Sequence, residues 1–335
     1  MVVAERPRYT VPTANVFRLE TASVPEARDG QILVRTTWLG LDTHLYRRVK
    51  RFSSLEPVPI GGVMEGATTG RVEVSNHPGF VAGDLVHGYW GWQDYHVSDG
   101  SGVSKIDPEI PRPSYVLGAF GISGFGAYVA LNELVKVEAG ETLTFGSALG
   151  GFGQMVGQLG KMKGARIVSG ASGPEKCRYA IEQLGYDVCI DRKAKDFEAQ
   201  IKAAFAKTGV HCYVMAAGGR AFELTLPYLH RNARIAIAGI MTFYAVAQLP
   251  PGPDMTMVVF NEINLRGLQV RGLVTEDWLG TPLHEKFKKE MKAWILGGKV
   301  KPVEHIVEGL ENAPDMMQGL FEGRNFGKAV VRVAD

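Results

Sequence analysis

The stretch Thr142-Leu143-Thr144-Phe145-Gly146-Ser147-Ala148-Leu149-Gly150-Gly151-Phe152-Gly153 runs from an apolar strand into a glycine-rich turn. A helix-like run follows and ends near Lys163. Laid on the spacing G-x-G-x-x-G, Ala148 replaces the first glycine, while Gly150 and Gly153 stand where they are required. Gly150 lets the backbone approach a pyrophosphate, and Gly153 lets helix and strand pack closely. N–H groups at the helix start, around Gly151 and Phe152, then meet the phosphate charge. On the turn alone, a plain glycine-rich strand-to-helix loop is the alternative.

The flanking sequence favours the nucleotide-binding reading. A strand at Arg166-Ile167-Val168 is followed by a helix opened by Ser172-Gly173-Pro174-Glu175, where Ser172 reads as the cap, with Pro in the first turn and Glu three residues on. Next come a strand near Val188-Cys189-Ile190, a helix from Phe197 to Phe205 and the strand Cys212-Tyr213-Val214. A helix near Phe222–Leu229 and the strand Ala233–Ala238 complete the series. Strands alternating with helices of this length predict an α/β, doubly wound parallel sheet, the Rossmann arrangement.

The end of the second strand bears on which dinucleotide is bound. A site for NAD wants an Asp or Glu about 20 residues on, accepting from the ribose 2′-hydroxyl. Here Ser169-Gly170-Ala171-Ser172-Gly173 offers no acid, and Lys176 and Arg192 follow. Small residues leave room for a 2′-phosphate and the cations can pair with it, which points to NADPH. Taken singly, Lys176 also reads as a solvated helix lysine and Arg192 as a surface arginine; the missing acid favours the pair.

The first ~120 residues read as β-rich, with short apolar runs such as Gln31–Thr37 and Gly70–Val74 between turn residues. The tail from about Val300 returns to mixed character and ends in the strand-like Ala329–Val333. A length of 335 residues exceeds one typical core, so two domains are expected. A formal charge of +2 without a like-charge run gives no reason to expect nucleic acid or an anionic membrane as partner. No apolar run approaches the roughly 18 residues of a membrane span, and the N-terminus has no signal-peptide pattern. The three cysteines, Cys177, Cys189 and Cys212, are odd in number and lack CxxC spacing, so neither a disulfide framework nor a zinc site is suggested. A cytoplasmic location is the expectation.

Further segments carry a resemblance. They include Ile60-Gly61-Gly62-Val63-Met64, Gly91-Trp92-Gln93-Asp94-Tyr95, Glu175-Lys176-Cys177, Leu249-Pro250-Pro251-Gly252-Pro253-Asp254, Gly309-Leu310-Glu311-Asn312-Ala313-Pro314 and Asn325-Phe326-Gly327-Lys328. In these the chain resembles the zinc-independent medium-chain dehydrogenase/reductases. Within that family it is similar to the branch of leukotriene B4 12-hydroxydehydrogenases (prostaglandin reductases), plant double-bond reductases and bacterial curcumin reductases, most of all the last. The resemblance implies a GroES-like catalytic domain at 1–122 and 300–335 and a Rossmann domain at 123–299. It also implies a homodimer, no metal, and NADPH-dependent reduction of the C=C bond of a small conjugated ketone or aldehyde.

By the same resemblance Lys176 meets the 2′-phosphate with Arg192 beside it, Gly218 belongs to the cofactor loop after the fourth strand, and Asn325 reaches the cofactor. Tyr244 falls near nicotinamide and substrate. The chain departs from the family pattern at several of these places. The motif L-D-P-Y-M-R is here Leu41-Asp42-Thr43-His44-Leu45-Tyr46, E-N-V-G-G is Met215-Ala216-Ala217-Gly218-Gly219, and Ala245 replaces an asparagine. Hydride addition to an enone builds negative charge on its carbonyl oxygen, so a positioned hydrogen-bond donor is worth roughly 3 kcal/mol. Tyr244 is the first candidate donor, with His44 and Tyr46 second; the plainer alternatives are a packed tyrosine and a satisfied histidine. Two other functions stay open: an oxidoreductase for a quinone, an alcohol/ketone pair or a specialised intermediate, and an NADPH-binding protein without turnover. Trp90, Trp92 and Tyr95 read as one aromatic core cluster. No Gly-x-Ser-x-Gly elbow supports a hydrolase.

Overall fold

A computed structural model describes residues 1–7, 13–49, 56–244 and 254–335. Ala245 and residues 249–253 of the proline-rich run lie outside the described residues. The chain divides into two compact units: the first holds Met1–Gly121, Tyr244 and Glu304–Asp335, the second Ile122–Phe243 and the chain up to Val303.

Seven strands come first: β1 (Val2–Val3), β2 (Phe17–Arg18), β3 (Ile32–Gly40), β4 (Thr68–Ser75), β5 (Leu85–Gly88), β6 (Tyr95–Ser98) and β7 (Ser104–Lys105). The second unit then runs α1 (Ile122–Val129), β8 (Thr142–Gly146), α2 (Gly151–Met162), β9 (Arg166–Ala171), α3 (Pro174–Glu182), β10 (Val188–Asp191), α4 (Phe197–Phe205), β11 (Val210–Met215) and α5 (Arg220–Thr225). It continues through β12 (Leu229–Ile237), α6 (Met241–Tyr244, whose last residue groups with the first unit), α7 (Thr256–Arg266), β13 (Gln269–Gly272) and α8 (Pro282–Leu296). The chain closes with β14 (Glu304–Glu308), α9 (Ala313–Glu322) and β15 (Lys328–Arg332) back in the first unit.

In the first unit β3 is the central strand. It pairs antiparallel with β4, β6 and β15, so the last strand of the chain is laid beside one of the first. Leu39, Leu41, Met64 and Trp92 share a core with Met316 and Met317 of α9 and Val331 of β15. A second, smaller core gathers Ile32, Val34, Val72, Val86 and Trp90. The aromatic cluster expected from Trp90, Trp92 and Tyr95 is therefore split: Trp92 stacks on Phe17 and Trp90 on His96. Two residues apart on an extended strand they would share a face. Gly91 between them has φ +82, and this left-handed backbone turns the two indoles into different cores.

The second unit carries a six-stranded sheet in the order β10-β9-β8-β11-β12-β13, every pairing parallel. This is the doubly wound order 3-2-1-4-5-6. The helix expected at Phe222–Leu229 is instead α5, Arg220–Thr225, followed by a tight turn over Leu226–Tyr228, and Leu229 already starts β12. Pro227 has no N–H for a continuing helix, which accounts for the early end. Lys301 and Val303 are tied to α2: the amide of Gln158 bonds both backbone groups at Lys301, and that of Gln154 both at Val303.

Candidate functional site in the parallel-sheet unit

In an open parallel sheet, ligands bind outside the carboxyl ends of the strands, where the strand order reverses. That point lies between β8 and β11, and the glycine turn Ser147–Gly150 leaves the end of β8 there. The turn is made differently from the sequence expectation. Ser147, not Ala148, takes the left-handed backbone, with φ +59. Ala148 is buried, and its N–H donates to Gly170 O at 2.9 Å, which ties the turn to the end of β9.

Gly150 caps α2 with an extended backbone, and its N–H closes onto Ser147 O at 2.9 Å. Gly153 is required by space: a Cβ there would stand 2.1 Å from Ser147 O. The N–H groups of Gly151, Phe152 and Gly153 open a twelve-residue helix, so no i−4 carbonyl is available to them. The aligned dipoles behind them make this end attractive to an anion. Phe152 lies against α1, where a Cβ on Gly126 would meet its ring at 3.4 Å.

One supporting residue was not anticipated. Tyr186 is 2% exposed, and its hydroxyl sits within 3.4 Å of Ala148 O and 3.3 Å of Gln154 O. It fills the space above Gly157, where a Cβ would lie 2.1 Å from the hydroxyl. Burial raises this phenol well above its ordinary pKa, so it remains a neutral donor beneath the turn.

The end of β9 holds the cations. The expected Ser172 cap is not formed: Gly173 occupies the cap position with φ +102 and ψ 154, and no side chain caps the helix. A non-glycine residue would be strained there, so the chain uses Gly173 and leaves Ser172 one position outside. Asp191 Oδ1 instead accepts from the N–H groups of Gly173 and Lys193. Lys176 Nζ donates to Ser172 Oγ at 3.3 Å. Burial, then the neighbouring Arg192 and Lys193, lower the Lys176 pKa. Arg192 is likewise lowered by burial, against the pull of Asp191. Cations crowded and partly desolvated in this way gain when a dianion enters between them, so the donor set fits a phosphate monoester.

The loop after β11 is held by Thr242, whose hydroxyl and N–H both donate to Ala217 O, at 2.7 and 3.2 Å. Gly218 follows with φ +76, and a Cβ on it would stand 3.1 Å from Ile240.

The remaining candidates lie in the first unit. His44 and Tyr46 sit on a 3-10 segment, Thr43–Val49. Tyr46 is 1% exposed, with its ring edge-on to Phe321 in the main core. Burial pushes its hydroxyl up to about 12, with a weaker opposing pull from the Thr13 backbone, and no hydrogen bond of ordinary geometry reaches it among the described residues. His44 is half-buried, and its charged form helps hold Asp42 ionised. Asp42 pairs with Lys328 Nζ at 2.6 Å, and the same ammonium donates to Leu41 O at 3.0 Å. The Leu41-Asp42 corner and the C-terminal Asn325–Lys328 segment are thereby joined. The side-chain amide of Asn325 donates to Gly327 O at 2.7 Å. The guanidinium of Arg47 stands 5.0 Å from the centre of the Tyr244 ring. Arg47 was not among the expected residues, although it lies next to the arginine position that Tyr46 occupies.

Comparison with known proteins follows this geometry. Residues 1–106 match the family described as the N-terminal domain of oxidoreductase, and residues 151–285 the family described as zinc-binding dehydrogenase. The NADPH-dependent curcumin reductase of Escherichia coli (strain K12) is 42% identical over 334 residues, spanning 99% of this chain and 96% of that protein. Prostaglandin reductase 1 of Oryctolagus cuniculus is 32% identical over 323 residues, spanning 95% and 88%. The crystal structure of CurA from Vibrio vulnificus in complex with NADPH superposes with a TM-score of 0.94 at 39% identity, covering 100% of this chain and 98% of that one.

One of the matched descriptions names zinc. Among the described residues no group of three or more His, Cys, Asp or Glu side chains is placed to hold a metal. Cys177 lies on α3, Cys189 on β10 and Cys212 on β11. Nor is any helix among the described residues long and apolar enough to cross a membrane.

Proposed function

The chain belongs to the medium-chain dehydrogenase/reductase family, in the branch of the curcumin and prostaglandin reductases, and from that premise we propose that it is an NADPH-dependent reductase of the C=C bond in small conjugated ketones or aldehydes. The observation that carries this reading is the pairing of the glycine turn at the sheet's reversal point with the acid-free cation cluster at the end of β9. Residues 123–299 are assigned to the cofactor, and residues 1–122 with 300–335 to the substrate.

Bound NADPH supplies the hydride. The chain's own groups hold and orient. The N–H groups of Gly151, Phe152 and Gly153 receive the pyrophosphate, with Ala148 and Gly150 shaping the turn that presents them. Lys176, Arg192 and the Ser172 hydroxyl receive the 2′-phosphate. Gly218 and Asn325 are assigned to the remaining cofactor contacts on the family's pattern.

Tyr244 is assigned as the donor to the carbonyl oxygen on which charge accumulates. Arg47 over its ring is a cation that stabilises negative charge building near the phenol. Of the two second candidates, His44 is the one with accessible surface; Tyr46 keeps its hydroxyl inside the core, where a packing role suits it.

We assign the working protein as a cytoplasmic homodimer. β13 ends the six-stranded sheet with all four residues exposed, and Met257, Phe260 and Leu265 of the neighbouring α7 are 73%, 59% and 61% exposed. A two-fold pairing of β13 with its copy would extend the sheet and cover that apolar surface.

The test is a titration with NADPH and NADH, followed by reduced-nicotinamide absorbance with enones, enals, quinones and alcohols. NADPH preference with enone-dependent oxidation is expected. Turnover of quinones alone would redirect the substrate assignment, and absence of NADPH binding would overturn the proposal.

A further inference from the structure

Cys177 and Cys189 are twelve residues apart in sequence, yet in the fold the Cys189 thiol donates to Cys177 Sγ at 2.9 Å. One closes the first turn of α3 and the other lies within β10. We propose that these two thiols form a modification site: a peroxide-sensitive pair that closes reversibly to a disulfide. The sulfurs need approach by only about 1 Å to reach bonding distance.

Their environments divide the roles. The hydrogen bond from Cys189 stabilises a thiolate on Cys177 and lowers its pKa against the opposing effect of burial. Cys189 is pushed the other way, first by that hydrogen bond and then by burial, so it remains a thiol. The thiolate is the nucleophile of the pair. Cys177 attacks hydrogen peroxide, breaking the O–O bond, and becomes a sulfenic acid with release of one water. The Cys189 sulfur then displaces the sulfenic hydroxyl group, which leaves as a second water with the thiol proton. Two thiols and one peroxide give one disulfide and two waters, and a dithiol reductant reverses the step.

The third cysteine does not compete. Cys212 is fully buried, and burial pushes its thiol up to about 12 despite its bond from Arg234.

The pair neighbours in sequence the groups assigned to the cofactor's 2′-phosphate. Lys176 immediately precedes Cys177, and Arg192 follows Cys189 by three residues. A 2′-phosphate held by those cations adds negative charge to the same segments and disfavours the Cys177 thiolate. NADPH should therefore slow closure more than NADH does. This last step alone rests on the phosphate assignment.

The test oxidises the full-length protein with hydrogen peroxide at near-stoichiometric concentration. Free thiols are counted, and peptides are mapped by mass spectrometry. Expected is loss of two of the three thiols, a Cys177–Cys189 peptide lighter by two hydrogens, and full recovery with dithiothreitol. In Cys189→Ser the sulfenic acid on Cys177 has no partner thiol and is trapped by dimedone. Retention of all three thiols, over-oxidation of Cys177 to the sulfinic acid in the wild-type protein, or a bridge that instead includes Cys212 would overturn the proposal. If the bridge forms at equal rates with NADPH and NADH bound, the phosphate placement fails and the redox pair stands.

Discussion

Replacing Lys328 by methionine removes one ammonium and keeps most of its stem, which packs at Gly118. The ammonium is the partner of Asp42 at 2.6 Å and a donor to Leu41 O at 3.0 Å. Breaking a buried pair by deleting one partner costs about 3–5 kcal/mol, because the other charge stays behind. The Lys328 side chain is 4% exposed but that of Asp42 is 16% exposed, so some water relieves the carboxylate. A loss of about 3 kcal/mol at pH 7 is expected.

The pH dependence discriminates this cause from lost packing. Burial by itself pushes the Asp42 carboxyl up, but Lys328 and, more weakly, His44 outweigh it, and the net pKa is lowered. A folded-state pKa below the unfolded one means that the wild-type pair stabilises the fold above the unfolded value near 3.9. That stability is lost as pH falls through the folded value. In Lys328→Met burial dominates, the folded pKa rises above the unfolded one, and the variant's penalty is largest at high pH. It fades as protonation neutralises Asp42 on the way down to about pH 4. Urea unfolding at a series of pH values, with amide exchange in β3 and β15 as the local read-out, measures this. Adding Asp42→Asn should recover much of the loss at pH 7. A penalty below about 1 kcal/mol, or one constant from pH 7 to 4, would refute the reasoning.

Lys176→Ala and Arg192→Ala should each weaken NADPH binding by about 1.5–3 kcal/mol, roughly 10- to 100-fold, and leave NADH nearly unchanged; calorimetric titration of both cofactors decides it. Gly153→Ala drives a methyl to 2.1 Å from Ser147 O, so it should lower both the melting temperature and NADPH affinity. Gly173→Ala meets nothing within 4 Å and should show only the strain of its glycine-only backbone, about 1–3 kcal/mol. Tyr244→Phe should reduce enone kcat by roughly 10²-fold with little change in NADPH affinity; an unchanged rate removes the phenol from the chemistry. Phe260→Asp together with Val270→Lys should give monomers in sedimentation if β13 and α7 form the dimer face; an unchanged dimer places the interface elsewhere.

What the sequence made legible was local. A strand that must run into an anion-binding turn states its requirement within a dozen residues, because Gly150 and Gly153 both answer to Ser147 of the same turn, the first to its hydroxyl and the second to its carbonyl oxygen. The alternation after β8 is readable for the same reason: each strand and helix needs its own apolar period. The sequence points to Ser172 as the cap because a Ser-Gly-Pro-Glu string satisfies the side-chain rule, while the backbone angle that settles the matter, φ +102, belongs to Gly173. The remaining differences that matter for the site are meetings of residues from separate elements. Asp42 finds Lys328 across most of the chain, Tyr186 rises under Gly157, and Cys177 reaches Cys189 from a different element.

The same distinction explains why the two sets of candidate residues differ in legibility. The groups proposed for phosphate are backbone N–H groups at the start of a helix and cations at a strand end, both set by short-range pattern. The substrate-side groups are side chains from separate segments. Arg47 and Tyr244 are nearly two hundred residues apart, and neither signals the other in sequence. Tyr46 keeps its hydroxyl inside the core, while the next residue, Arg47, presents a guanidinium to the Tyr244 ring. Within the one 3-10 segment Thr43–Val49, neighbouring residues thus divide between packing and the candidate site, a division set by which face of the segment meets the core and not by residue type.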